Sequence, residues 1–470
     1  MKFNPFDYLH PGAHIAPGAR SIRLPLFLKI TGLKFDDKSG SYSKDARTLS
    51  DALLKQIILL EKKTGESQTK YIYNFRTGCF ELFATVNYNA ILCAFYDQLA
   101  DITGPIWTPK LQSEIMGYQK AWPLRYEKHM NQTNYIVFRN GSYNLNDFSM
   151  VQHSPEQLST CFLEYDYDEK AECPLFISFL HTISCGRSDL ELLIQEMVGS
   201  TLVTHNKAEK SFIIVGPGRN GKSVFSSVIR GLLGPDNISA TPLSKMAGGD
   251  FGLEDLVDKK INLTTESSKS EQISTATWKQ LVSNDPVSVN PKGKKRYTTK
   301  LNLKIISFLN YFPDFSELDY AVQRRLIVIP FDAVIAEKDV DPDLSEKLQK
   351  ELPGIMNWAI EGLKRLSANN WQFSKAESSE NLLRTLVLES NPLRKFINDC
   401  IEKDASNTQT VKFKALHEAY SRYAADNDLP MIGKSFNRDF KNELLNLKIP
   451  HTIVRPGNCD AIKGIALKEG

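Results

Sequence analysis

The octapeptide Gly216-Pro217-Gly218-Arg219-Asn220-Gly221-Lys222-Ser223 leaves this chain few folds to choose from. An apolar run, Phe212-Ile213-Ile214-Val215, precedes it and reads as a buried strand. After it, Val224, Phe225, Val228, Ile229, Leu232 and Leu233 recur at helical spacing and mark one apolar helix face. Strand, glycine-rich loop and helix N-terminus together form a phosphate cradle. The glycines let backbone N–H groups turn inward, and the helix dipole adds partial positive charge. In this pattern Lys222 reaches the β- and γ-phosphates, and the Ser223 hydroxyl takes a place on Mg²⁺. Nucleotide binding by residues 216–223 is therefore the first expectation.

The chain has 470 residues, too many for one ordinary core, so several domains are expected. Its 41% hydrophobic and 24% charged residues suit a soluble globular protein. No apolar run reaches bilayer length, and Met1-Lys2-Phe3-Asn4-Pro5 lacks a signal-peptide core, so no membrane partner is expected. The seven cysteines are scattered, odd in number and without a Cys-x-x-Cys pair, which argues for reduced thiols in a cytoplasm and against structural zinc. A net charge of +3 decides nothing by itself.

Downstream, Lys260-Ile261-Asn262-Leu263-Thr264-Thr265-Glu266 reads as a short strand ending in a carboxylate. A phosphate loop needs such an acid at a neighbouring strand's C-terminal end, to hold Mg²⁺ through water and polarise the attacking water. Asp255, Asp258 and Glu271 compete for that role but lack the preceding apolar strand. Lys304–Leu309 is an apolar strand ending in Asn310, an amide able to sense the γ-phosphate or position water. Arg324 and Arg325 precede a further apolar strand. In an ATPase ring such arginines complete the neighbouring subunit's site. Between Glu266 and Asn310, strand-like Val287-Ser288-Val289 and Leu301-Asn302-Leu303 flank Lys292, Lys294, Lys295 and Arg296, a basic hairpin tip suited to a nucleic-acid backbone.

These elements, in this order, resemble the superfamily III helicases, and within them the helicase half of the phage/plasmid primase family, related to poxvirus primase-helicases. The resemblance runs from about residue 110 to 370. It takes in the Asn140-Gly141 hairpin, His153-Ser154-Pro155-Glu156, Tyr165–Pro174, Leu192–Gly199, Trp278–Asp285, Pro313 and Pro330-Phe331. It implies an AAA+-like P-loop core in a homo-hexameric ring that hydrolyses ATP with Mg²⁺ and moves 3′-to-5′ on one DNA strand. By position it implies Lys222 and Ser223 on ATP and Mg²⁺, Glu266 as Walker B acid, Asn310 as sensor 1, and Arg324 or Arg325 as arginine finger. Lys292, Lys294, Lys295 and Arg296 fall at or near the pore hairpin. Thr265 stands where many relatives carry a second acid.

Residues 391–470 are expected to hold helices over Asn391–Glu402, Phe413–Tyr423 and Ser435–Leu447, then strands His451–Val454 and Gly464–Leu467. Three helices and a β-wing describe a winged-helix domain, with Lys434, Arg438 and Lys441 at spacings that can share a DNA-facing surface. This end resembles that of phage/plasmid primases and of mobile-element replication initiators such as those of staphylococcal pathogenicity islands.

The expected fold is thus α/β, an ATPase core with an α+β N-terminal region and a C-terminal winged helix. The expected divisions are 1–110, with one amphipathic helix near Leu49–Lys63; a helicase-preceding domain, 111–204; the core, 205–371; a linker, 372–390; and the winged helix, 391–470. Residues before 110 are too few for the primase module that often begins such chains, so any primase is expected to be a separate partner. The expected function is an ATP-driven DNA helicase and replication initiator of a phage, plasmid or genomic island in a bacterial cytoplasm. Single-stranded DNA would lie in the pore and origin duplex on the winged helix. Two alternatives stand beside it: a duplex-translocating or packaging ATPase, and an origin-binding scaffold that uses ATP only as a switch.

Overall fold

The computed structural model describes the chain apart from residues 1–2, 14–19, 39, 44, 65–66, 99, 104–105, 120–124, 127–129, 132, 248–251, 266–271, 294, 316–317, 405–408, 428, 430, 457–459 and 469–470. Its centre is a five-stranded parallel sheet. In chain order the strands are β1 (Ser211–Val215), β2 (Ile238–Ser239), β3 (Ile261–Thr264), β4 (Lys304–Leu309) and β5 (Leu326–Pro330). They lie side by side in the order β2-β3-β4-β1-β5. Strands buried on both faces need apolar residues in both side-chain rows, and these have them. Phe212, Ile214, Ile306 and Phe308 enter one core layer, whereas Ile213, Ile305 and Leu309 enter the other.

The first layer is helical. It contains α1 (Pro174–Ile183), α2 (Ser188–Ser200), α3 (Lys222–Leu233) and α4 (Leu352–Ala368). In α1 the buried residues Phe176, Phe179, Leu180 and Ile183 follow a helical period. Helices α2 and α4 meet backbone to backbone. A Cβ on Gly199 would lie 2.4 Å from Leu363 N, and one on Gly362 would lie 2.3 Å from Gln195 O. Glu196, buried in this contact, accepts from Arg365 Nε at 2.7 Å and from Ser374 N at 2.7 Å. This core runs from Ile136 to Ala376 and crosses the division expected near residue 204 without a break.

Four details differ from the sequence expectations. The helix expected over Leu49–Lys63 stops at Leu54, and Leu59–Thr64 is a strand paired with Ser67–Asn74, because sheet neighbours reward extended pairing there. At Asn140-Gly141 the hairpin exists, but Phe138 pairs with Gly141, so Arg139 and Asn140 make the turn. Val287–Val289 pairs with Tyr297–Thr299 rather than with Leu301–Leu303, whose two leucines are buried in the second layer. Lys304, a cation just past that hairpin, is buried rather than exposed, and its Nζ donates to Val203 O.

The C-terminal unit has helices Pro392–Cys400, Phe413–Asp426 and Phe436–Asn446 around their own core. Strand Thr410–Lys412 precedes the second helix, and Thr452–Val454 and Ala461–Lys463 follow the third, forming a sheet with Ala461–Lys463 in the middle. The final hairpin therefore uses Ala461–Lys463, not Gly464–Leu467; Ile465–Leu467 pairs instead with Ile401–Lys403. Among the described residues no helix is long and apolar enough to cross a membrane.

His205, in the loop before β1, packs edge-on against Trp371 at 4.6 Å between centroids. Its Nδ1 is buried with no hydrogen-bond partner. Burial, then the Lys304 and Lys207 charges, pulls this imidazole down to about 4. An unfolded histidine titrates near about 6.5, so the unfolded chain binds the extra proton first as pH falls. His205 therefore favours the folded state above about pH 6.5, and that contribution is lost between about pH 6.5 and about pH 4. Urea unfolding compared at about pH 7.5 and about pH 5 should show a smaller drop in midpoint for His205→Gln than for the natural chain. Equal drops would mean that His205 is not a source of the pH dependence.

Candidate functional site: the phosphate loop and its surroundings

The loop 216–221 leaves β1, which lies between β4 and β5, and is tethered on both sides. Gly216 N donates to Leu309 O at the end of β4, at 3.2 Å, and Phe331 N donates to Val215 O, at 2.8 Å. Gly216 sits where a Cβ would come within 2.2 Å of Phe331 O and 2.0 Å of Asn220 Nδ2. Gly221 has φ +84, and a Cβ there would meet Ile183 Cγ2 at 2.7 Å. Helix α1 thus forms the floor under the loop, and this contact demands glycine on two counts.

Asn220 is almost wholly buried. Its Nδ2 donates to Phe331 O at 2.8 Å, and its Oδ1 accepts from Lys222 Nζ at 2.9 Å. Lys222 Nζ also donates to Gly216 O at 2.6 Å. The amine is held above the loop by two oxygens, and burial lowers its pKa from the ordinary lysine value. Ser223 is exposed at the start of α3.

A cleft of about 630 Å³ opens over this loop. Gly218 to Val224 form its base, and Asn310, exposed just past β4, lines one wall. Phe179 and the segment from Ile335 to Leu344 also line it. Ile335 N donates to Arg219 O at 3.2 Å, joining that segment to the loop. Sequence reading missed this wall; its only signal is the acidic run Glu337, Asp339, Asp341, Asp343 after Pro330-Phe331. Glu266 and Lys294 lie outside the described residues, so the structure places neither. Among the described residues, no group of three or more His, Cys, Asp or Glu side chains is arranged to hold a metal ion.

The two arginines stand at the far end of β5. Arg325 O accepts from Ser211 N, at the start of β1, at 2.8 Å. A strand of five residues spans roughly 16 Å, and that length separates them from the loop on the same sheet. They differ in engagement. The Arg325 side chain is 12% exposed, donates to Ser283 Oγ and Ala321 O, each at 2.9 Å, and faces Glu209 at 3.5 Å. Arg324 is 48% exposed, with Glu209 at 3.7 Å.

Lys292, Lys295 and Arg296 are exposed at the hairpin tip, and Arg296 Nε donates to Ser288 Oγ. In the C-terminal unit, Lys434 and Arg438 are exposed, with Arg438 beside Asp439 at 3.0 Å. Lys441 is half-buried, its Nζ 4.7 Å from the Phe413 ring centroid.

Residues 124–185 match a family described as D5 N terminal like, and residues 214–325 match a family of unknown function, DUF5906. A protein of Acanthamoeba polyphaga mimivirus named "Putative helicase L207/L206" is 25% identical over 252 residues, which are 51% of this chain and 26% of that protein. An uncharacterized mitochondrial protein of Marchantia polymorpha, ymf21, is 35% identical over 74 residues, 16% of this chain and 41% of its own length. The chain thus spans less than half the length of either relative. Among solved structures, the A form of the apo NrS-1 C-terminal region has a TM-score of 0.51 at 12% identity, over 88% of this chain and 97% of that one. The mixed α/β fold with its parallel sheet is therefore shared with a known structure.

Asn220→Ala should strip the partner from Phe331 O and one of two from Lys222 Nζ. Leaving buried groups unpaired costs about 1–3 kcal/mol. Thermal denaturation should show that loss, and an unchanged melting temperature would deny Asn220 its structural role.

Proposed function

We propose that this protein is an ATP-dependent DNA helicase of the superfamily III type, working as a ring in the replication of a mobile genetic element. One observation carries the proposal: loop 216–223 and Asn310 line one cleft at one end of the sheet, while Arg324 and Arg325 stand at the other. The strand order, with β4 between β3 and β1, supports an AAA+-like reading. In that order β3, the strand that precedes Glu266 in the sequence, lies one place beyond β4, which precedes Asn310. The name of the mimivirus relative points the same way.

In this reading the backbone amides of Gly218 to Lys222 hold the phosphates, and Lys222 exchanges its two loop oxygens for phosphate oxygens. Ser223 and Glu266 would hold Mg²⁺, which neutralises phosphate charge when bound. Glu266 orients the attacking water, and Asn310 donates a neutral hydrogen bond to the terminal phosphate or that water. An arginine roughly one strand length from its own loop serves a neighbouring subunit's nucleotide. Arg324 is the better finger, because Arg325 is already spent on Ser283 and Ala321. Hydrolysis then needs a closed assembly, for which a hexamer is the expected form, and movement is expected 3′-to-5′.

Lys292, Lys294, Lys295 and Arg296 would contact the backbone of the strand in the pore. Three helices with a three-stranded sheet, in which Ala461–Lys463 lies between Thr410–Lys412 and Thr452–Val454, support a winged helix; Ile401–Lys403 and Ile465–Leu467 form a separate pair. There Lys434 and Arg438 would face duplex DNA, and Lys441 would support the helix from behind. A separate primase remains a proposed partner.

Three results are expected on a forked DNA substrate. The natural chain releases the labelled strand with ATP, and single-stranded DNA raises its steady-state hydrolysis. Lys222→Ala loses both activities, with kcat down roughly a hundredfold or more, yet keeps duplex binding. Mixing Arg324→Ala with Lys222→Ala restores part of the hydrolysis. Release by neither chain would favour a duplex pump, and no DNA stimulation would favour a scaffold that uses ATP as a switch. Absence of rescue at every mixing ratio would refute the arginine's role across subunits.

A further inference from the structure

We propose that the segment from Ile335 to Leu344 is the base-binding wall of the nucleotide cleft, and that Glu337 and Asp339 select bases bearing an exocyclic amino group. This rests on the nucleotide reading of residues 216–223 and adds to it the identity of the base. Strands β4 and β5 flank β1 on opposite sides. Asn310, after β4, closes one side of the cleft, and the segment that follows β5 closes the other. Phosphates lie along the N-terminus of α3, with the terminal one on the Asn310 side. The sugar and base then extend towards the β5 side.

That side has the composition of a base pocket, apolar surface with a few polar groups. Ile335, Val340, Pro342 and Leu344 line it, and Val340 leaves 52% of its surface open. Three carboxylates accompany them. Asp341 is engaged, accepting from Lys347 Nζ at 2.6 Å, and that bond holds its carboxyl below the ordinary aspartate range. Glu337 and Asp339 have no side-chain hydrogen bond or ion pair among the described residues. An ionised carboxylate only accepts hydrogen bonds. It pairs with the N6 amino group of adenine or the N4 amino group of cytosine. Hypoxanthine and uracil present a carbonyl oxygen at the same place, and carboxylate against carbonyl leaves two acceptors facing each other. A site built to hydrogen-bond an N–H rejects the analogue that lacks it.

The test is equilibrium competition by the full chain against a fluorescent ATP analogue, using ATP, inosine triphosphate, CTP and UTP. ATP should bind roughly tenfold more tightly than inosine triphosphate, and CTP more tightly than UTP by a similar factor. The double variant Glu337→Gln/Asp339→Asn, whose amides both donate and accept, should bind ATP and inosine triphosphate within about twofold of each other. Both positions are exposed, so the variant keeps its fold. Equal binding of ATP and inosine triphosphate by the natural chain would overturn the proposal, as would discrimination that survives in the double variant; either result leaves the phosphate loop's role intact. Binding of none of the four would overturn the nucleotide reading together with it.

Discussion

Two hydrogen bonds from one buried amide hold the working part of this molecule together. Asn220 gives its Nδ2 protons to Phe331 O and offers its Oδ1 to Lys222 Nζ. The first bond fastens the glycine-rich loop to the chain leaving β5, and the second aims the lysine. Because Gly216 lies against the same carbonyl, no side chain fits at that position. In the proposed nucleotide reading, the backbone that meets the phosphates is thereby set before they arrive, so little ordering entropy opposes binding.

Preorganisation here depends on a sheet with two covered faces. Strands β1 and β4 send alternate side chains into separate apolar layers, and the layers differ in what they support. One includes α1, whose Phe179 and Ile183 press against Gly221, so a helix upstream of β1 supports the glycine-rich loop rather than standing as a detachable neighbour. The same layer carries the α2–α4 contact, where a buried Glu196 is matched by Arg365 and by the Ser374 amide and hydroxyl. Such a pair adds little net stability beside an apolar substitute, but removing one partner strands a buried charge. The second layer carries the basic hairpin. Leu301 and Leu303 anchor the chain that returns from it.

Strand, loop and helix at 211–233 were legible because three signals agree there: apolar run, glycine spacing and helical period. Asn310 was legible for the same reason, at the end of the apolar strand Lys304–Leu309. Register was not legible. Tyr297-Thr298-Thr299 and Leu301-Asn302-Leu303 both alternate, and only tertiary packing decides which pairs with Val287–Val289. Side-chain direction was also hidden. Lys304 donates to Val203 O although it is a cation, and Lys441, expected on a DNA-facing surface, lies partly over Phe413, since long stems bury readily when the amine finds a partner. The wall at 335–344 escaped notice because it is irregular, and periodicity says nothing about irregular backbone.

Sidedness is what turns these parts into one site. In a parallel sheet every strand points the same way, so loops after the C-terminal ends gather on one edge and residues at the starts gather on the other. Loop 216–221, Asn310 and the 335–344 wall all follow strand ends; Arg324 and Arg325 precede a strand start. Neighbours of β1 then divide the cleft edge between them, β4 supplying Asn310 and β5 supplying the wall. The arginines face away from all of this. In the proposed ring, a guanidinium on that edge would meet the phosphates in the cleft of a second copy of the chain. Strand direction, a property of the backbone alone, thus sets the cleft and the two arginines on opposite edges of the sheet.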